Sequence, residues 1–170
     1  MDVIQFHIEG DSKLRKGFRI LFSQKLKKPF NINMAGPRGD AVNQYKRDKA
    51  EKKFLIIDLE NHPSERETEL NKLSLGTDAC NTCFMVQKME AWFIAQADKL
   101  FEPEIAEKLG KGNPEFVDKP DQKLKEVLFK HRNKTYDKKG DAINFLQKLD
   151  MSELGKKFKD VENLVTNFTN

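Results

Sequence analysis

The chain has no apolar run approaching the ~18 residues that a membrane span needs, which points away from an integral membrane protein. Its first residues, Met1-Asp2-Val3-Ile4-Gln5, carry neither the basic nor the apolar stretch of a secretory leader. With two cysteines there is no disulfide framework, and the cytoplasm is the expected compartment. Cys80 and Cys83 have the spacing of half a zinc or redox site. No second pair accompanies them, so burial of Cys83 in a strand is the expected reading. Several motifs are missing outright. The Gly36–Gly39 loop holds Arg38 but lacks the Gly-Lys-Ser/Thr of a P-loop, so this chain is not expected to hydrolyse ATP itself. Gly-x-Ser-x-Gly, His-Glu-x-x-His and a dinucleotide fingerprint are also absent. No internal repeat or low-complexity segment is visible.

What is present is charge. Of 170 residues, 34% are charged and 38% hydrophobic, the profile of a globular chain large enough to bury a core. Thirteen Lys or Arg stand against three acids between Lys13 and Lys53, a local net of +10 that leaves −6 for the remainder. This asymmetry suits a polyanion held beside an acidic cleft, and equally a set of solvated lysines on helix surfaces.

The hydrophobic pattern reads as strands alternating with helices. Residues 3–8, Phe30–Met34, Phe54–Ile57 and Cys83–Val86 read as strands, the third uninterrupted as in a central parallel strand. Leu14, Phe18, Leu21, Phe22 and Leu26 mark an amphipathic helix that stops before Pro29. Asp40 reads as the N-cap of a basic helix running to about Lys49, and Ser64-Glu65-Arg66-Glu67 as a capping box. Met89 to Leu100 form a further helix, with Trp92 and Phe93 in the core. Short helices are expected around Leu124–Phe129, Ala142–Leu149 and Val161–Phe168. The expected fold is therefore α/β, a parallel sheet flanked by helices over 1–103, with a helical C-terminal part over 104–170 packed on it.

Two of these strands end on acids, Glu9 after the first and Asp58-Leu59-Glu60 after the third, while Glu90 opens the aromatic-rich helix. The carboxyl ends of parallel strands share one edge, where ligands bind in open α/β folds. Carboxylates gathered there repel one another unless a cation lies among them, and hard oxygen donors suit Mg²⁺ or Mn²⁺. Each acid also has an ordinary reading, as a turn residue, a helix cap or first-turn decoration.

A strand closing on Glu-Gly, followed by a helix and a later strand closing on Asp-x-Glu, resembles the TOPRIM domain of topoisomerases, primases and overcoming-lysogenization-defect nucleases. Glu9 matches its first acid; Asp58 and Glu60 match its second motif, with Asp-Leu-Glu here where Asp-x-Asp is usual. The chain is similar to a branch of TOPRIM-like bacterial proteins often encoded beside ABC-type or AAA-type ATPases, through Glu9-Gly10-Asp11-Ser12, Met89-Glu90-Ala91-Trp92, Lys119–Lys125 and Tyr136-Asp137-Lys138. Lys13 stands where many relatives carry an acid, leaving one metal contact missing or supplied by Asp11.

The resemblance implies a Mg²⁺- or Mn²⁺-dependent nuclease, an effector of anti-phage defence working with an ATPase partner. Glu9, Asp58, Glu60 and Glu90 would hold metal, Lys138 or its neighbour Lys139 would supply a catalytic cation, and the Lys13–Lys53 stretch would hold the nucleic-acid backbone. Four carboxylates would serve two ions ~4 Å apart, and fewer would serve one. The competing expectation is a non-catalytic TOPRIM-like module that docks on an ATPase and regulates it. DNA or RNA as substrate, and monomer or oligomer, are left open.

Overall fold

In the computed structural model, which describes residues 3–170, the chain builds a four-stranded parallel sheet covered by helices. Met1 and Asp2, which belong to the stretch read for a secretory leader, lie outside the described residues. The strands are β1 (Ile4–Ile8), β2 (Phe30–Met34), β3 (Lys53–Asp58) and β4 (Thr82–Met85), in the order β2-β1-β3-β4. Register aligns Ile8 with both Met34 and Ile56, and Asp58 with Met85, so all four strands end along one rim. From β1 the chain crosses to one side, to β2, and from β3 to the other, to β4. The gap between the ends of β1 and β3 is therefore the switch point where such sheets open a crevice.

Helix α1 (Arg15–Ser23) buries Phe18, Leu21 and Phe22 against one face of the sheet. A 3-10 turn, Ser12–Leu14, leads into it, and Asp11 caps that turn by accepting the Lys13 N–H at 2.9 Å. Helix α2 (Arg38–Arg47) covers the opposite face with Ala41, Val42 and Tyr45. It begins earlier than an Asp40 cap requires. The Pro37 carbonyl accepts the Asp40 and Ala41 N–H groups, placing Asp40 inside the first turn, and the helix ends at Arg47. The expected capping box at Ser64 is also not formed. His62 takes the cap role through Nδ1, Pro63–Glu65 turn as 3-10, and α3 (Arg66–Lys72) starts only afterwards. Glu67 accepts from the Arg66 guanidinium at 2.7 Å instead of reaching back.

After β4 come α4 (Glu90–Ala95) and α5 (Ala97–Leu100), then α6 (Pro103–Leu109), which the strand-poor C-terminal half had concealed. The three expected C-terminal helices appear as α7 (Pro120–Arg132), α8 (Asp141–Lys148) and α10 (Lys159–Thr169). Between the last two, α9 (Met151–Lys157) is an addition, capped by Asp150, which accepts the Ser152 and Glu153 N–H groups.

These helices share the core of the sheet. Phe168 of α10 meets Phe6, Phe22 and Phe54 with ring centroids 6.0–6.2 Å apart. Helix α8 packs on α1 at Gly17, where a Cβ would stand 2.8 Å from the Leu146 Cβ. Two glutamines clamp the turn before α9: Gln24 bonds Leu149 and Met151, and Gln96 bonds Asp150 twice. Asp160, buried at the start of α10, accepts the Phe84 N–H of edge strand β4 at 3.0 Å and Arg66 Nε at 2.7 Å. The exposed ladder of a strand edge is thereby partly closed by a carboxylate. Among the described residues no helix is long and apolar enough to cross a membrane.

Candidate metal centre

Glu9 leaves β1 at the switch point because Gly10 turns the chain sharply, at φ +136°, a value that residues with a Cβ rarely adopt. Gly10 and Gly36 exchange both backbone hydrogen bonds, at 2.8 and 3.1 Å, fastening the turns after β1 and β2 together. Glu9 Oε2 then accepts the Asp58 N–H at 2.9 Å, so one acid is held by the backbone of the next. Asp58 Oδ1 in turn accepts the Met89 N–H at 2.9 Å, at the head of α4. Both carboxyls gain from these aligned donors.

Glu60 sits one residue beyond Leu59 in the left-handed region, φ +60°, its N–H bonded to the Gln87 carbonyl at 2.7 Å. A glutamate seldom takes this conformation, and side chains so held cluster at functional sites. Carboxylate oxygens of Glu9, Asp58 and Glu60 lie within 4.8 Å of one another, with Asp58 buried, Glu9 half-buried and Glu60 exposed. The structure thus brings together three of the four acids marked in the sequence.

Glu90 stands behind them. It is fully buried, and it does not belong to the cluster of oxygens formed by the other three. Its Oε1 accepts the Tyr136 hydroxyl at 3.2 Å and faces Lys138 Nζ at 3.6 Å, while Oε2 is buried with no partner among the described residues. Tyr136 carried no role in the sequence reading. Its signal was slight: one aromatic in a polar loop, two residues before a marked lysine.

The electrostatics follow from this crowding. Burial above all, then the Glu9 carboxylate, push Asp58 up to about 8; Lys138 opposes the rise and Glu90 adds to it. Glu9 is raised too, by burial first and by Glu60, against the Asp58 N–H, Arg38 and Lys138. A carboxyl raised as far as Asp58, beside a second one shifted in the same direction, marks a site short of positive charge. A divalent cation would supply that charge, and the unpartnered Glu90 oxygen beside the cluster agrees with it. The donors are all hard oxygens, so the residues present fit Mg²⁺ or Mn²⁺.

Cations ring the acids. Lys138 lines a cavity of about 120 Å³ with Glu9, Gly10, Gly36 and Asp58. Arg38, at the start of α2, donates to the Asp58 carbonyl at 3.5 Å and to Glu69 Oε2 at 3.1 Å. The sequence placed Arg38 in the Gly36–Gly39 loop without linking it to the acids, because only the crossing from β2 to α2 carries it to the β3 rim. Lys139 faces Asp11 at 3.4 Å, and Asp11 is occupied capping Lys13, so neither Asp11 nor exposed Lys13 joins the cluster.

The Lys13–Lys53 stretch does not form one surface beside the acids. Lys25, Lys27 and Lys28 precede β2, while Lys49 and Lys52 precede β3, so both groups lie at the amino rim of the sheet. Strands of five and six residues put that rim roughly 15–20 Å from the acids. Lys53 is spent internally, on the Tyr45 and Asp48 carbonyls.

Cys83 is buried in β4, as the sequence reading expected, and Cys80 is exposed just before it. Searches of curated proteins and of solved structures return no match. One family matches residues 13–168, a span that takes in Asp58, Glu60, Glu90 and Lys138 and begins just after Glu9. The chain therefore belongs to the family described as Domain of unknown function (DUF4276).

Proposed function

We propose that this protein is a divalent-metal-dependent phosphodiesterase acting on nucleic acid, with its centre at the rim between β1 and β3. The observation that carries the reading is the convergence of Glu9, Asp58 and Glu60 oxygens within 4.8 Å, backed by a buried, unpartnered oxygen of Glu90. Glu9, Asp58 and Glu60 would hold Mg²⁺ or Mn²⁺, with Glu90 behind them. When bound, the ion supplies charge neutralisation at the phosphodiester and activation of water.

The chain's own residues do the rest. The Glu9 carboxylate and the Asp58 backbone lock each other, and the Met89 N–H fixes the Asp58 carboxylate, so two donors are oriented before any ligand arrives. Lys138, half exposed and lining the cavity, offers a positive charge to phosphate oxygens as they gain charge in the transition state. Tyr136 and Glu90 hold that lysine toward the acids. Arg38 is placed to steer the substrate's phosphate toward the rim. The TOPRIM-like resemblance of the sequence, not the matched family, adds an ABC- or AAA-type ATPase partner and anti-phage defence to this reading, and free cysteines suit a cytoplasmic setting.

The test is cleavage of single- and double-stranded DNA and RNA with Mg²⁺ or Mn²⁺, alone and with a candidate ATPase. Activity lost in Asp58→Asn and Glu9→Gln, with the fold intact, is the expected result. Absence of both cleavage and Mn²⁺ binding in calorimetry would overturn it and leave a scaffold for an ATPase.

A further inference from the structure

A second cavity, about 360 Å³, opens beside the acidic cluster on the same rim. Leu59 and Val86 form part of its wall, and these are the residues immediately following Asp58 and Met85 at the strand ends. Arg66, Glu115, Lys159 and Asn163 supply its polar lining. Glu115 and Pro63 lie on the wall, and their chain neighbours Phe116 and His62 set their rings against each other just outside it, with centroids 5.2 Å apart. Phe116 is 56% exposed, an aromatic face left in water next to a polar cavity.

The lining chemistry decides what fits. Arg66 is already paired, to Asp160 at 2.7 Å and to Glu67 at 2.7 Å, and Lys159 is paired to Glu162 at 2.7 Å. With Glu67, Glu115 and Asp160 also on the wall, the cavity has no spare positive charge for a phosphate. It offers apolar wall from Leu59, Pro63 and Val86 and an amide at Asn163, and the exposed Phe116 ring adjoins Glu115 of the wall. That set matches a flat, neutral, hydrogen-bonding heterocycle. Its size is within the range of small-ligand sites.

The geometry points to a nucleobase subsite: this cavity receives the base of a nucleotide flanking the scissile phosphate, stacked on Phe116, so the substrate is single-stranded. The inference rests on the phosphodiesterase reading and deepens it. Phosphate would lie at the Arg38–Lys138 side, where cations are available, and the base beyond Asp58 at the Leu59–Val86 side, where the cations are already paired. A base paired within a duplex cannot enter such a cavity, whereas the splayed bases of a single strand stack readily on aromatic side chains.

The probe is a fluorescently labelled oligoadenylate, as DNA and as RNA, followed by anisotropy in EDTA, with the matching duplex and an oligomer carrying abasic positions. Mn²⁺ affinity is measured on the same proteins by calorimetry. Phe116→Ala and Asn163→Ala are the variants. Phe116→Leu keeps apolar bulk without the ring, and both side chains replaced are exposed, so folding is not at issue. The expected result is binding about five- to hundred-fold weaker in Phe116→Ala, the range that loss of one base–aromatic stack gives. Phe116→Leu should lose nearly as much, Asn163→Ala several-fold, and Mn²⁺ affinity should stay unchanged. The abasic oligomer should bind wild type no better than Phe116→Ala binds the intact one. Equal binding of single strand and duplex, or variants indistinguishable from wild type, overturns the subsite while leaving the acidic centre standing. Loss of Mn²⁺ binding in wild type, with Phe116-dependent oligomer binding retained, overturns the metal reading and keeps the subsite.

Discussion

Asp58→Asn separates the cost of the acidic centre from its use. Asparagine keeps an oxygen for the Met89 N–H and nearly the same shape, but carries no charge toward Glu9 and Glu90. In the metal-free protein the Asp58 carboxyl is raised to about 8 against an ordinary value near ~4. A carboxyl raised in the fold holds its proton there, so the penalty is absent below about pH 4 and grows as pH rises toward 8. At pH 7, about three pH units above the ordinary carboxylate range, it reaches about 4 kcal/mol, at about 1.4 kcal/mol per unit. The variant should therefore match wild type near pH 4 in EDTA and exceed it by about 4 kcal/mol at pH 7, a gain on the order of 10 °C in Tm. Urea denaturation at several pH values, with and without Mn²⁺, measures this. Mn²⁺ should stabilise wild type and leave the variant unmoved, reversing the order at saturating ion. A gap that does not change with pH, or a variant less stable than wild type at pH 7 in EDTA, would refute the argument that these acids crowd one another.

Other changes test neighbouring parts of the argument. Lys138→Ala, at a half-exposed side chain, should slow cleavage by about 10²-fold or more, read as kcat at saturating Mg²⁺, with the folded circular-dichroism spectrum retained. Tyr136→Phe removes the one hydroxyl that donates to Glu90, leaving a buried carboxylate without it, and should cost about 1–3 kcal/mol in chemical denaturation. Asp160→Ala strips an acceptor from both Phe84 N–H and Arg66 and should destabilise by about 3–5 kcal/mol, with β4 amides losing hydrogen-exchange protection first. Phe168→Ala, at the meeting point of three core phenylalanines, should cost about 3–5 kcal/mol, comparable to a change within β1 itself.

The strands were legible because β3 is a bare apolar run and β1 and β2 alternate, and those patterns have no helical reading of the same length. Boundaries were less so. Asp40 is a good cap residue, yet Pro37 with its fixed φ starts α2 earlier, since its carbonyl was free to accept the first helical N–H groups. Ser64 lost its cap to His62 because Pro63 initiates a tighter turn. Helices α6 and α9 did carry signals, Pro103 at a first position and Asp150 as a cap, but each is only seven residues and shows too few turns for a clear period.

Residue order by itself determined that four strands alternate with helices and that Glu9, Asp58 and Glu60 fall at or just past strand ends, because strand ends on one side of a parallel sheet must share a rim. Only tertiary structure decided which acids meet. Strand order put β1 beside β3, so Glu9 reached the Asp58 backbone, while packing of α4 under the C-terminal loop sank Glu90 behind them against Tyr136. The same folding sent the lysines before β2 and β3 to the far rim and brought Arg38 and Lys138 to the near one. Charge along a chain says how many cations there are. Where they stand depends on which ends of which strands the chain crosses between.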